Sequence, residues 1–468
     1  MPKNITSPHK KTPKYHITLV LLNKECKIPP ETEAMLQAFY SRSHTSVLQR
    51  LTEIADDYQK AKNFMRKYYI GYGHKSIGDC ASITVFVEGA SMLAVKAIQD
   101  WRLFAGQESS TRYIDFSKQK IAVPRDIPKE AQEKMQNIQE EQRSFYLSAV
   151  PLIVEHLKEQ FPIEEGEDQA TYERAIRARG FDIARGFLPA GMTTQTSWHM
   201  NMRQFADQLA LLRHHPLEEV REIAEEALQL LHSAYPDSFS LKRYDHTEEY
   251  NDFVMKKHYY LRSKDLKTKL SAKNRFALVE DRLDYKLLEY YKDVLSKRPV
   301  KTELPPFMAE TGYLQFEFLL DFGSFRDIQR HRGMVQRMPL LTAEYGFHPW
   351  YIENLPQSLQ SKAKELIDRV VEVYNSLDIA PEQKQYMLPM GFMVPNRITG
   401  DIKALTYFVE LRVSRFVHPT LVEVASRVAS TLKEKLGHLG YQLHIDPTPA
   451  RFDTRRGLQT ILLKKDNG

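Results

Sequence analysis

The chain has 468 residues, 42% hydrophobic and 27% charged, so it is long enough for two or three domains and ordinary in composition for a soluble globular protein. Its 66 basic and 60 acidic residues leave a net charge of +6, which suits phosphate-bearing ligands no better than it suits plain solubility. Two cysteines, Cys26 and Cys80, exclude a disulfide framework and a four-cysteine zinc site and fit a reducing, cytoplasmic compartment, while no run approaches the roughly eighteen apolar residues of a membrane helix.

Residues 1–30 read as a flexible, lysine-rich tail without the apolar core of a signal peptide. The spacing of Leu48, Leu51, Ile54, Ala55, Tyr58 and Ala61 predicts helix between Glu31 and Ile70, stopping at Gly71-Tyr72-Gly73. His74-Lys75-Ser76 then sit in a turn, Ile83 to Val87 form a strand, and Ser91 to Gln99 form an apolar helix. Residues 117–180 read as charged helices with Met135, Ile138, Phe145 and Leu147 as a buried face and Pro151 as a break. Arg185-Gly186-Phe187-Leu188-Pro189 leads to a polar run, Thr193 to Ser197, expected as a strand lining a wet pocket. A long helix from Arg203 and another from Leu217 close this half near Tyr235.

Residues 236–270 are rich in Lys, Tyr and Asp with little periodicity and read as a solvated linker. Their interleaved basic and aromatic residues also occur in single-strand nucleic-acid binders, but no nucleic acid polymer is expected as a partner. Beyond the linker the spacing predicts a helix over Phe276 to Leu295 and a strand over Tyr313 to Leu320. An amphipathic helix from Ser361 to Leu377, then Leu388-Pro389-Met390-Gly391 and Leu411-Arg412, complete this part.

Two stretches stand out. Ile98 to Phe116 brings Arg102, Glu108, Ser110, Arg112 and Tyr113 together behind an apolar helix, and Ile328-Gln329-Arg330-His331-Arg332 opens on the same dipeptide and keeps the arginine of Arg102 at Arg332. The Gln99-to-Gln329 offset is 230, and the offset between the two Leu-Pro pairs is 200, so the first copy carries about thirty extra residues, a tolerable surface insertion. Internal duplication follows, with repeats over 31–235 and 271–445, the linker between them and a tail over 446–468.

At these residues both halves resemble the flavin-dependent thymidylate synthases, whose signature is Arg-His-Arg-x-x-Ser-x-Asn-Glu-x-Ser-x-Arg-Tyr. The first half keeps its end, as Glu108, Ser110, Arg112 and Tyr113, but has Asp100-Trp101 in place of the first Arg-His and Gln107 in place of the Asn. The second keeps its beginning, as Arg330-His331-Arg332. Gly73-His74-x-Ser76, Ala184-Arg185-x-x-Leu188-Pro189 and Asn201-x-Arg203 match further family pieces, and Leu411-Arg412 matches its late Leu-Arg.

The resemblance implies an α+β fold: two tandem copies of the family's fold, a central β-sheet flanked by long helices, forming a pseudo-dimer that pairs again into a homodimeric pseudo-tetramer. It implies methylation of dUMP to dTMP, with methylenetetrahydrofolate and NADPH as co-substrates and FAD as the hydride carrier. One composite site per chain would result: Glu108, Ser110, Arg112, Arg185, Arg330 and Arg412 bind dUMP, with Arg412 stabilising charge on the ring as the catalytic group. His74, Ser76, Glu108, Asn201, Arg203, Arg330, His331 and Arg332 hold FAD. A non-catalytic or diverged flavin- or nucleotide-binding paralogue is the alternative. No metal is expected, because the adjacent His214 and His215 point about 100° apart on a helix.

Overall fold

A computed structural model describes residues 28–43, 49, 57–111, 116–415 and 417–446, together with the backbone of 4–6 and 18–20. Leu48, Leu51, Ile54, Ala55, Arg112, Tyr113, Cys26 and most of both expected tails lie outside the described residues. Within the N-terminal tail, strands β1 (Asn4–Thr6) and β2 (Thr18–Val20) pair antiparallel. Helices α1 (Pro30–Tyr40) and α2 (Tyr58–Phe64) follow, the second running into a π-helical turn that ends at Gly71.

The first half is built on a two-stranded antiparallel sheet, β3 (Ser82–Ser91) against β4 (Thr193–Asn201). Each strand runs directly into a helix whose N-cap is the strand's last residue. Ser91 caps α3 (Met92–Gln99) by accepting from the Ala94 amide, and Asn201 caps α6 (Met202–Leu212) by accepting from Gln204. Between β3 and β4 lie α4 (Lys129–Gln160) and α5 (Gln169–Ala184), and after α6 comes α7 (Glu218–Ala234). Further on, helix α8 (Asp245–His258) precedes β5 (Phe276–Leu283), which is followed by the short helices α9 (Tyr285–Tyr290) and α10 (Lys292–Ser296).

The second half repeats this order. Strand β6 (Gly312–Asp321) pairs with β8 (Met393–Gly400), Asp321 caps α11 (Phe322–Ile328), and Asp401 caps α15 (Ile402–Arg412), which is followed by α16 (Pro419–Leu436). Strands β5 and β7 (Val335–Arg337) extend this sheet to the order β5-β6-β8-β7. Between β6 and β8 stand α12 (Pro349–Glu353), α13 (Gln357–Ser376) and α14 (Pro381–Lys384). The two sheets share one apolar core, which includes Trp198 and Phe205 of the first half and Phe316 and Phe392 of the second.

The halves meet at the two Leu-Pro segments. The Ala190 amide donates to the Leu388 carbonyl and the Met390 amide to the Leu188 carbonyl, both at 2.8 Å. Gly191 donates to Tyr386 and Gly391 to Gly186, again both at 2.8 Å. From α4, Gln139 and Gln142 reach across the same seam and donate to the Tyr386 and Met387 carbonyls.

Four expectations need correction. Residues 276–283 form a strand, because Phe276 and Leu278 find ladder partners in Phe318 and Phe316 of β6, and an edge pairing overrides an ambiguous apolar spacing. Pro151 does not break α4: one missing amide on the exposed side is outweighed by a buried face running Met135, Ile138, Gln142, Tyr146, Ala149, Ile153 and Leu157. Leu147 lies off that face and is exposed, whereas Phe145 packs against the core through the Phe187 ring, 4.8 Å away between centroids. The linker holds helix α8 (Asp245–His258), fastened to α6 by the Arg213–Glu248 ion pair at 2.7 Å and by Asn251 donating to the Ala210 carbonyl. Beyond it the chain is pinned to the second half where the Leu261 amide donates to Met338 and those of Lys267 and Thr268 to Glu317.

Candidate functional site: a polar cleft between the two halves

The buried helices α3 and α11 bring their C-terminal ends together. Gln329 donates from Nε2 to the Lys96 carbonyl at 2.7 Å and to the Asp100 carboxylate, so the glutamine of the second Ile-Gln dipeptide binds the end of α3 on both sides of the first. After α3 the chain turns and runs along the free edge of β4. Ala105 exchanges hydrogen bonds with His199, and the Ser197 amide donates to the Gln107 carbonyl. The close approach requires glycine at 106, where a Cβ would stand 1.9 Å from the Ser197 carbonyl oxygen. This edge pairing fixes Glu108.

The Glu108 side chain is buried and doubly held: Gln99 donates to its Oε2 at 2.8 Å and Arg326, from α11, donates to its Oε1. Burial, reinforced by nearby Arg185, pulls the Arg326 guanidinium below its ordinary value even with Glu108 raising it. Arg326 was not singled out in the sequence, though it stands four residues before Arg330. The signal was its place in the last turn of a helix that ends just before Arg330.

Arg185 is 2% exposed and lies in a buried polar network, donating to Thr111 Oγ1 at 3.1 Å and Ser324 Oγ at 3.3 Å, while its Nε has no partner among the described residues. Burial opposes its charge, but Tyr351, Asp182, Asp321 and Asp327 outweigh that and hold its pKa above the ordinary value. His331 is buried against Phe408 and turns its Nε2 toward Arg412, which donates from Nε at 2.7 Å. Nε2 must therefore be the unprotonated nitrogen, and burial with the adjacent Arg412 pushes the imidazole down to about 3. Arg412 also donates to the Asp327 carbonyl, so its orientation is set from two sides.

Arg330 and Arg332 are exposed at the mouth of a cleft of 160 Å³ that Glu108, Gln99, Phe104 and Gln329 also line. Ser110 is half-buried just beyond Glu108. The remaining expected flavin contacts lie elsewhere in the first half. His74 and Ser76 are exposed beside the start of β3, Asn201 is engaged in capping α6, and Arg203 pairs with Asp79 at 2.7 Å. Asn201 is five residues along β4 from the Glu108 level, about 17 Å. The Thr193 to Ser197 run does form a strand, but Thr193, Thr194 and Thr196 are buried rather than lining water. On the other side of Gln329 a second, larger cleft of 380 Å³ opens, lined by Asp100, Trp101, Arg102, Tyr259 and Arg337 among others.

Among the described residues no group of three metal-type ligands converges, and no helix is long and apolar enough to cross a membrane. Fold and site together define an α+β protein in which two similarly ordered halves enclose cation-lined clefts suited to anionic ligands. Residues 28–237 match the family described as thymidylate synthase complementing protein. The likeness to other proteins extends further along the chain. It is 24% identical over 426 residues to a UPF0159 protein of Chlamydia pneumoniae, covering 81% of this chain and 80% of that one. It is also 24% identical over 471 residues to a UPF0159 protein of Thermoplasma acidophilum, covering 85% and 92%. Among solved structures, a thymidylate synthase X of Helicobacter pylori with FAD and dUMP aligns at 14% identity over 45% of this chain and 91% of that one, with a TM-score of 0.26.

Proposed function

We propose that the protein is a flavin-dependent thymidylate synthase working at one composite site per chain, built between tandem copies of one ancestral unit that form a pseudo-dimer. The single observation that carries this reading is that Glu108 of the first half and Arg330 and Arg332 of the second line one cleft. The reciprocal hydrogen bonds of the two Leu-Pro segments support the pseudo-dimer, because a two-fold interface contacts itself through the same residues on both sides. A homodimer would then be the pseudo-tetramer, and a cytoplasmic setting accords with the reading.

The reaction would convert dUMP and methylenetetrahydrofolate to dTMP and tetrahydrofolate, with NADPH as the reductant. FAD, when bound, supplies the hydride that takes the transferred one-carbon unit to a methyl group. The fit of this chain to the flavin rests on Arg330 and Arg332, exposed at the mouth and able to hold its diphosphate. His74 and Ser76 are accessible to it. Asn201, Arg203 and His331 are taken up by the α6 cap, Asp79 and Arg412, and would support the site from behind. Ser110, with Arg112, is the group for the dUMP phosphate, and Arg185, buried against Thr111 and Ser324, would brace that segment from behind. Arg412, held by neutral His331, is the group for charge developing on the uracil carbonyl.

Incubating the purified chain with dUMP, methylenetetrahydrofolate, NADPH and FAD should yield dTMP, and Arg330→Ala should lower the rate at least about tenfold. Tight FAD binding without dTMP would select the diverged flavin-binding paralogue. Absence of both FAD binding and dTMP would remove the reading altogether.

A further inference from the structure

The two junction clefts are not equivalent, and the difference starts at one pair of matched positions. Lys96 stands where Arg326 stands in the second half, 230 residues on. Arg326 reaches across to Glu108, whereas Lys96, 8% exposed, stays on its own helix and bonds Asp100 at 2.5 Å. Asp100 also accepts from the Tyr259 hydroxyl at 2.6 Å and from Gln329. Its charge is therefore spent before any ligand arrives. What remains around the larger cleft is positive: Arg102 and Arg332 have no ion-pair or hydrogen-bond partner among the described residues, and Arg337 donates only to the neutral His258 carbonyl at 2.6 Å.

Three guanidiniums on one concave surface repel one another, Arg337 being only partly offset by Asp265 and by the already engaged Asp100, and an anion between them relieves that repulsion. The cleft also offers aromatic surface. Tyr259 is held in place by Asp100, and Trp101 is pinned at its edge by donating from Nε1 to Gln204 Oε1 at 2.7 Å. Its 380 Å³ falls within the ordinary range of small-molecule sites. We propose that this cleft is a second ligand site, separate from the Glu108 cleft, taking a planar aromatic molecule that carries an anionic group of the mononucleotide class. The arginines bind the anion, and Trp101 and Tyr259 pack against the ring. The proposal does not depend on the synthase reading, since it uses a different wall of the junction and shares only Gln99, Gln329 and Arg332 with the smaller cleft.

The test is equilibrium dialysis of the full chain with adenosine 5′-monophosphate and, separately, with adenosine. Saturable binding of the monophosphate is expected, with adenosine at least about tenfold weaker, the size of one lost charge-assisted hydrogen bond. Arg102→Ala, an exposed change that the fold tolerates, should weaken monophosphate binding by a similar factor, while Arg330→Ala, which lines only the smaller cleft, should leave it unchanged. The proposal is overturned by no saturable binding, by equal affinity for adenosine, or by an effect of Arg330→Ala without one of Arg102→Ala. Failure of the synthase reading shows separately, as the absence of dTMP.

Discussion

Pro189 and Pro389 face each other across an antiparallel bridge, and the four amide hydrogen bonds flanking them relate each half to the other by the same offset of 200 residues. The seam is made of backbone, so it tolerates little added volume. A Cβ on Gly391 would stand 2.4 Å from the Phe347 ring and 2.9 Å from the Gly186 carbonyl oxygen. Gly391→Ala should cost about 1–3 kcal/mol through forced displacement of a packed ring. A urea midpoint equal to that of the unaltered chain would contradict the tight seam.

The Glu108–Arg326 pair crosses the halves with both side chains buried, so the loss of one partner should be far worse than the loss of both. Arg326→Ala strands a buried carboxylate and should cost about 3–5 kcal/mol, and adding Glu108→Ala should recover part of it. A double-mutant cycle read by urea denaturation measures this, and simple additivity of the two losses would refute the coupling.

His331 gives the fold an acid sensitivity of definite sign. Its native pKa of about 3 lies below the ordinary 6.5, so below pH 6.5 the unfolded chain takes up a proton that the native chain refuses. The associated stability is present above pH 6.5 and is lost as pH falls toward 3, in total on the order of 5 kcal/mol. Protonation would also remove the acceptor that orients Arg412. Denaturant midpoints at pH 7 and pH 4.5 should differ less in His331→Gln than in the unaltered chain. Equal pH dependence in the two would count against a neutral imidazole.

Pro151 sits on the exposed side of an uninterrupted helix, where its ring forgoes one backbone hydrogen bond. Pro151→Ala should therefore raise stability, by up to about 3 kcal/mol, without touching either cleft. Thermal melting that drops instead would mean that the ring makes a contact worth more than the missing bond.

Local pattern determined much of this protein. The alternation of Leu314, Phe316, Phe318 and Leu320 specified β6 and its buried side, the Ser91 to Gln99 run specified α3, and the two Ile-Gln and two Leu-Pro pairs revealed a repeated order of elements. These are legible because side-chain periodicity and strand-ending cap residues act over a few neighbours. Tertiary structure alone decided the rest. Residues 276–283 became a strand because β6 offered an open edge, and the linker became a docked helix because α6 offered Ala210 and Arg213. Glu108 met Arg326 across 218 residues of sequence, His331 turned inward to hold Arg412, and Asp100, in sequence a mere departure from a family pattern, took its place between Lys96, Tyr259 and Gln329. No spacing along the chain encodes such pairings, because which charges are buried together depends on how two distant helix ends approach, and that is fixed only when both halves are packed.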